Sequence, residues 1–198
     1  MKHILVSQRV DVIENYKERR DALDQKWVEL LWETGYTGLP VPNHNQAVME
    51  ILNSVSVDGI VLSGGNTPVN YGGSAPERDT IDETLISYAV KQNIPLMGIC
   101  RGMQSIVLFF KGTLRKTKGH VAVRHNLNNN RNVNSYHEFA PDTVPDELSI
   151  IARAEDNEIE YIIHRDLPIL GIMWHPERET PFVKDDMELI CNFFGKES

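Results

Sequence analysis

Cysteine is scarce in this chain. Cys100 and Cys191 are its two thiols, too few for a disulfide framework and suited to a reducing compartment. No Cys-x-x-Cys or His-Glu-x-x-His spacing is present, so neither a metal nor another cofactor is expected. Long apolar runs are missing as well. None approaches the roughly 20 residues of a membrane span, and no membrane partner is expected. Met1 to Gln8 holds one lysine and a short apolar run, without the h-region and cleavage site of an export signal. A cytoplasmic location is therefore expected. Positive charge is in deficit: a formal net charge of −8 lacks the basic footprint of a nucleic-acid binder. A local basic pocket for one anionic ligand stays compatible with it. No repeat, no linker and no low-complexity tract beyond Asn128-Asn129-Asn130 interrupts the chain, so residues 1–198 read as one domain.

What is present suffices for one substantial core: 198 residues, 41% of them apolar and 24% charged. Apolar runs at residues 3–8, 59–62, 94–99 and 169–174 read as buried strands. Between them, Leu23, Trp27, Leu30 and Leu31 fall at helical spacing, as do Ala47, Val48, Ile51 and Leu52, and then Ile81, Leu85, Tyr88 and Ala89. Met187, Ile190 and Phe194 predict a closing helix, in which Cys191 reads as core. Residues 9–20 are mixed and charged and take no assignment, and residues 67–79, rich in Gly, Pro and Asn, read as a surface loop. The alternation predicts an α/β fold: an open, mostly parallel central sheet with helices on both faces, flavodoxin-like in type. Residues 111–136 are polar and predict a small β-rich insertion in the second half, followed by neighbouring strands at 148–152 and 161–164.

In such sheets ligands gather at the carboxyl ends of the strands, and three such ends carry chemistry. Gly98-Ile99-Cys100-Arg101-Gly102 joins a strand to a helix. A sharp turn there lifts a nucleophile clear of the sheet and points the following N–H groups at the reacting atom. A buried cysteine is the plainer reading, since Cys packs like a small hydrophobe. His175-Pro176-Glu177 follows the last strand, where the carboxylate can reach back to orient the imidazole as a base. Gly64-Gly65 ends a third strand and permits the close approach that an oxyanion-hole turn requires. Taken singly, His175 reads as a loop histidine and Glu177 as a solvated acid; their conjunction with Cys100 favours a Cys-His-Glu triad. His3 and His44 read as structural or surface residues, and His120, His125 and His164 show no partner.

These residues resemble the class I glutamine amidotransferase superfamily, and within it the γ-glutamyl hydrolase branch. Gly98 to Gln104 matches the nucleophile motif, with Arg after the Cys as in that branch, and His175-Pro176-Glu177 matches the His-x-Glu motif. Arg78-Asp79 with Glu83, and Asn134-Ser135-Tyr136-His137, resemble supporting segments. The resemblance implies that Cys100 attacks a γ-glutamyl amide, His175 shuttles the proton and Glu177 orients it. Backbone N–H groups of Gly65 and Arg101 would form the oxyanion hole. Gly64, Asn66, Arg78, Gln104, Asn134, Ser135, Tyr136 and His137 would bind substrate. The implied partner is a small-molecule γ-glutamyl amide. A nucleotide-linked leaving group would need cations, for which Arg9, Arg19, Arg20, Arg101 and Lys111 are available by type. The chain departs from the branch at Lys111-Gly112-Thr113-Leu114, where a Gly-Gly turn is expected. A glutaminase subunit feeding ammonia to a synthetase would carry the same motifs, and a non-catalytic binding protein on the same fold is the alternative of another class.

Overall fold

The computed structural model describes residues 1–195. It begins with β1 (Lys2–Val6), a hairpin of β2 (Arg9–Ile13) and β3 (Glu18–Ala22), α1 (Gln25–Glu33), β4 (Tyr36–Pro40), α2 (Asn45–Ser54) and β5 (Gly59–Leu62). Next come α3 (Pro76–Gln92), β6 (Leu96–Ile99), α4 (Arg101–Phe109), β7 (Thr113–Lys116), β8 (Val121–Asn126), β9 (Asn132–Tyr136) and β10 (Phe139–Thr143). The chain closes with β11 (Leu148–Arg153), β12 (Ile159–His164), β13 (Ile169–Ile172) and α5 (Lys184–Gly195).

One seven-stranded sheet runs in the order β11-β12-β13-β6-β5-β1-β4. Strands β13, β6, β5, β1 and β4 are parallel, and β12 and β11 add an antiparallel edge. The central strands β5 and β6, Gly-Ile-Val-Leu and Leu-Met-Gly-Ile, are buried at every residue, as strands covered on both faces must be. Side chains alternate between those faces. Leu62 and Leu96 point into a core shared with Leu52 of α2, Leu85 of α3 and Ile106 of α4. Val61 and Met97 point the other way, into a core shared with Trp27 and Leu31 of α1 and Phe194 of α5. The expected α/β architecture, with helices on both faces, is therefore present. The β-rich insertion is present too, as the two-stranded pairs β7–β10 and β8–β9.

Three local expectations are corrected. Residues 9–20, which take no assignment from the sequence, lie in the β2–β3 hairpin, held by Asn66, whose side-chain amide accepts from the Val10 N–H at 2.8 Å and donates to the Val10 carbonyl at 2.9 Å. The segment expected as a loop to residue 79 instead starts α3 at Pro76, whose missing N–H suits a first helical position. Arg78 and Asp79 thus sit on a helix. Cys191, expected in the core, is exposed. At the turn after α4, Lys111 adopts a φ of 73°, a conformation that favours glycine.

The turn between β6 and α4 requires close backbone approach. A Cβ on Gly102 would stand 2.1 Å from the Leu62 carbonyl oxygen, and one on Gly98 would stand 2.6 Å from the Gly102 backbone. Both glycines are there because the helix start lies directly on β5 and β6. Gly102→Ala should therefore destabilise the protein by about 2–4 kcal/mol, read as a lower denaturation midpoint, whereas Gly35→Ala meets nothing within 4 Å of its Cβ position and should cost only about 1–2 kcal/mol, for a side chain at φ 88°.

Candidate active site

Adjacent parallel strands end on one rim and deliver the site. Leu62 pairs with Gly98, and Ile99 with Ile172, so Gly64-Gly65, Cys100 and His175 leave the sheet side by side. Cys100 has φ 51° and ψ −102°, a strained conformation for a residue with a side chain, costing about 1–3 kcal/mol. The sheet holds it there: its N–H donates to the Ile172 carbonyl at 2.7 Å. Helix α4 begins at the next residue, so the unsatisfied N–H groups of its first turn lie beside the sulfur.

His175 is almost fully buried and bonded on several sides. Its Nδ1 and Glu177 Oε1 are 2.6 Å apart, whereas Nε2 has no hydrogen-bond partner among the described residues. Asn134 clamps its backbone like a strand partner, accepting from the His175 N–H at 2.8 Å and donating to its carbonyl at 2.9 Å. The ring lies against Gly64, where a Cβ would stand 2.5 Å from His175 Cε1. The Tyr136 ring meets it edge-on at 5.6 Å. Burial alone lowers the imidazole pKa, but the Glu177 carboxylate and the neighbouring Cys100 sulfur outweigh it and raise it to about 9. An imidazole so placed can take a thiol proton and stay charged beside two anions.

Arg78 controls the Gly64-Gly65 turn. Its buried guanidinium donates to the carbonyls of Ser63, Gly64 at 3.0 Å and Gly65 at 2.7 Å. Burial brings its pKa down to about 10, still charged at neutral pH. Because a peptide unit is trans, fixing the Gly64 carbonyl on Arg78 aims the Gly65 N–H the opposite way. Arg101 is likewise turned inward: its guanidinium bonds Asp79, Asp82 and Ser105, tying the start of α4 to α3. That leaves its backbone N–H at the rim.

A cavity of about 270 Å³ opens over Cys100 and His175 and is lined further by Gly65, Asn66, Gln104, Tyr136 and Arg178. Several residues expected at the substrate also have side-chain partners within the protein, and Asn66 and His137 line the cavity as well. Arg78 holds a turn, Asn134 holds His175, and Ser135 Oγ donates to the His120 carbonyl at 2.8 Å. The His137 Nε2 turns away to Glu160 at 3.1 Å, and Asn66 spends its amide on Val10. Gln104 and Tyr136 keep side chains in the cavity, although Gln104 Nε2 donates to the Phe139 carbonyl at 2.9 Å. Most of the expected rim cations are occupied: Arg9 by Asp11, Arg19 by Glu77, Arg20 by Glu18 and Arg101 by its aspartates. Lys111 instead borders a separate cavity with Asp82 and Phe109.

Sequence reasoning missed Arg178. Its guanidinium lies 4.3 Å over the Tyr136 ring and borders both the Cys100 cavity and a second one beside Gly64 and Glu177. Its place directly after His175-Pro176-Glu177 was the available signal.

The raised His175 pKa carries a stability prediction. The folded state holds the proton to about pH 9, against 6.5 for an ordinary imidazole. That contribution is full below pH 6.5 and is lost as pH rises through 9. His120 is raised to about 9 as well, by Glu160 first, partly offset by burial, and then by Asp156. Chemical denaturation of the parent and Glu177→Gln should therefore differ most near pH 6 and converge toward pH 10. The His120 share cancels in the difference.

The family model for glutamine amidotransferase class-I matches residues 11–195. The chain is 29% identical over 181 residues to the gamma-glutamyl-CDP-amidate hydrolase of Campylobacter jejuni, covering 88% of this chain and 90% of that protein. It is 31% identical over 180 residues to anthranilate synthase component 2 of Azospirillum brasilense, covering 84% and 86%. Its fold matches the crystal structure of a Thermoplasma acidophilum protein assigned to GMP synthase, with TM-score 0.75, 23% identity and coverage of 98% and 93%. Strand order, strand-end chemistry and a match over nearly the whole chain converge: this chain belongs to the class I glutamine amidotransferase family.

Proposed function

We propose that the chain hydrolyses the γ-glutamyl amide bond of a small molecule, releasing glutamate through a glutamyl thioester on Cys100. The observation that carries this reading is Cys100, strained at the end of β6, beside a buried imidazole whose Nδ1 is held 2.6 Å from Glu177 while its Nε2 is free. Sγ attacks the γ-carbonyl carbon, and the thiol proton passes to His175 Nε2. The oxyanion is received by the N–H groups of Gly65 and Arg101, the first aimed by Arg78. Collapse breaks the C–N bond, with the proton going from His175 to the leaving amine. Water then attacks the thioester, gives a proton to His175, and glutamate leaves as the Cys100 thiol is restored. Glu177 keeps the ring in orientation throughout. Gln104 and Tyr136 contact the glutamyl group, and Arg178 is the guanidinium placed for an anionic group of the substrate.

The best-supported substrate is γ-glutamyl-CDP-amidate, giving cytidine diphosphoramidate and glutamate. Its support is the name of the Campylobacter jejuni relative, which aligns along nearly the whole chain, together with Arg178 at the junction of the two cavities. The likeness to anthranilate synthase component 2 supports a second reading, a glutaminase subunit that supplies ammonia to a synthetase.

A panel of γ-glutamyl amides, including glutamine and the nucleotide phosphoramidate, read as glutamate release, separates the two. Bulky amides should be cleaved without a partner, and faster than glutamine. Activity on glutamine alone, rising with a synthetase, would favour the second reading. Cys100→Ala should lower kcat on the preferred amide by on the order of 10⁴-fold or more. Asn134→Ala, which frees the His175 backbone, should lower kcat by about 10–100-fold with a smaller change in KM, because Asn134 positions His175 without touching substrate.

A further inference from the structure

Away from the Cys100 chemistry, three imidazoles converge on one buried carboxylate. Glu160, on β12, is fully buried, and its Oε1 lies 3.1 Å from His137 Nε2, 3.3 Å from His125 Nε2 and 3.5 Å from His120 Nδ1. Hydrogen bonding explains this poorly. One oxygen faces three ring nitrogens, while the buried Glu160 Oε2, His137 Nδ1 and His125 Nε2 have no hydrogen-bond partner.

The distances fit a different occupant. Ligands bonded at about 2.0–2.1 Å to a tetrahedral ion stand about 3.3–3.4 Å apart; the ligand atoms of His120, His137 and Glu160 all lie within 4.8 Å of one another, so small side-chain shifts would bring them onto one ion. A second observation points the same way. The outer nitrogen of His120, Nε2, is 2.7 Å from the Asp156 carboxylate, the arrangement that orients a metal-bound histidine. A solvent-facing cavity bordered by Gly119, His120, His125 and Asp156 leads to the cluster.

We propose that His120, His137 and Glu160 form a site for a divalent transition-metal ion, with zinc the best match to two imidazoles and a carboxylate and His125 at its mouth. The two histidines sit just before β8 and just after β9, whereas Glu160 belongs to the central sheet, so the ion has a structural task. A two-stranded ribbon has little stability alone. The ion staples this ribbon to the sheet, and with it Asn134 and Tyr136, which bear on His175.

The test is zinc titration of the tag-free chain after chelator treatment, against a competing chelator. It is repeated in Cys100→Ser, which removes the other thiol–imidazole pair able to hold zinc. One equivalent should bind in both proteins, raise the melting temperature and slow hydrogen exchange in residues 120–137. His120→Ala and Glu160→Gln should each weaken zinc binding at least about tenfold. His120 borders the solvent-facing cavity, so its variant keeps the test valid should Glu160→Gln fail to fold. Failure to bind one equivalent, loss of binding in Cys100→Ser, or unchanged affinity in folded His120→Ala would each overturn the proposal.

Discussion

Everything at this site depends on the tight turn by which β6 becomes α4. The sheet pins the Cys100 N–H to β13 at 2.7 Å, the helix starts one residue later, and Gly98 and Gly102 leave no space for a side chain between helix and strands. The left-handed backbone of Cys100 is what remains when both demands are met. Its strain of about 1–3 kcal/mol is sustained by a core in which β5 and β6 are buried throughout. The turn puts a buried thiol at the positive end of a helix, where the edge of the apolar core meets the cavity.

Around that turn the polar residues form an outer frame whose work is to hold backbone. Arg78 fixes three consecutive carbonyls, Asn134 fixes both main-chain groups of His175, Asn66 fixes Val10, and Arg101 joins α4 to α3. Such buried groups are tolerable because each has partners. They also explain how loops without regular structure can present N–H groups and an imidazole in fixed directions. The proposed chemistry is thereby left to few groups: the Cys100 sulfur, the His175 ring with Glu177, and the N–H groups at the rim.

Much of this was legible in the sequence because buried parallel strands write themselves as short apolar runs, and the residues just past each run fall on one rim. Gly64, Cys100 and His175 could be placed together on that argument alone. Direction was not legible. The motif containing Arg78 marks that residue but not whether its guanidinium faces the cavity or the turn behind it, and the same holds for Asn134, Ser135 and His137. The β2–β3 hairpin was hidden because β3, Glu-Arg-Arg-Asp-Ala, carries charge on both faces and the anchor, Asn66, is far along the chain. The imidazoles around Glu160 escaped because their spacing matches no local metal motif; three separate elements had to fold before they met.

The central claim is that Cys100 carries the glutamyl group during turnover. Acid quench of the native chain mixed with an excess of a γ-glutamyl amide, followed by intact and peptide mass spectrometry, reads this directly. A mass increase equal to one glutamyl group is expected, located on the peptide containing Cys100 and reversed by hydroxylamine. Glutamate release during turnover with no adduct on Cys100, or with the group on another residue, would contradict it.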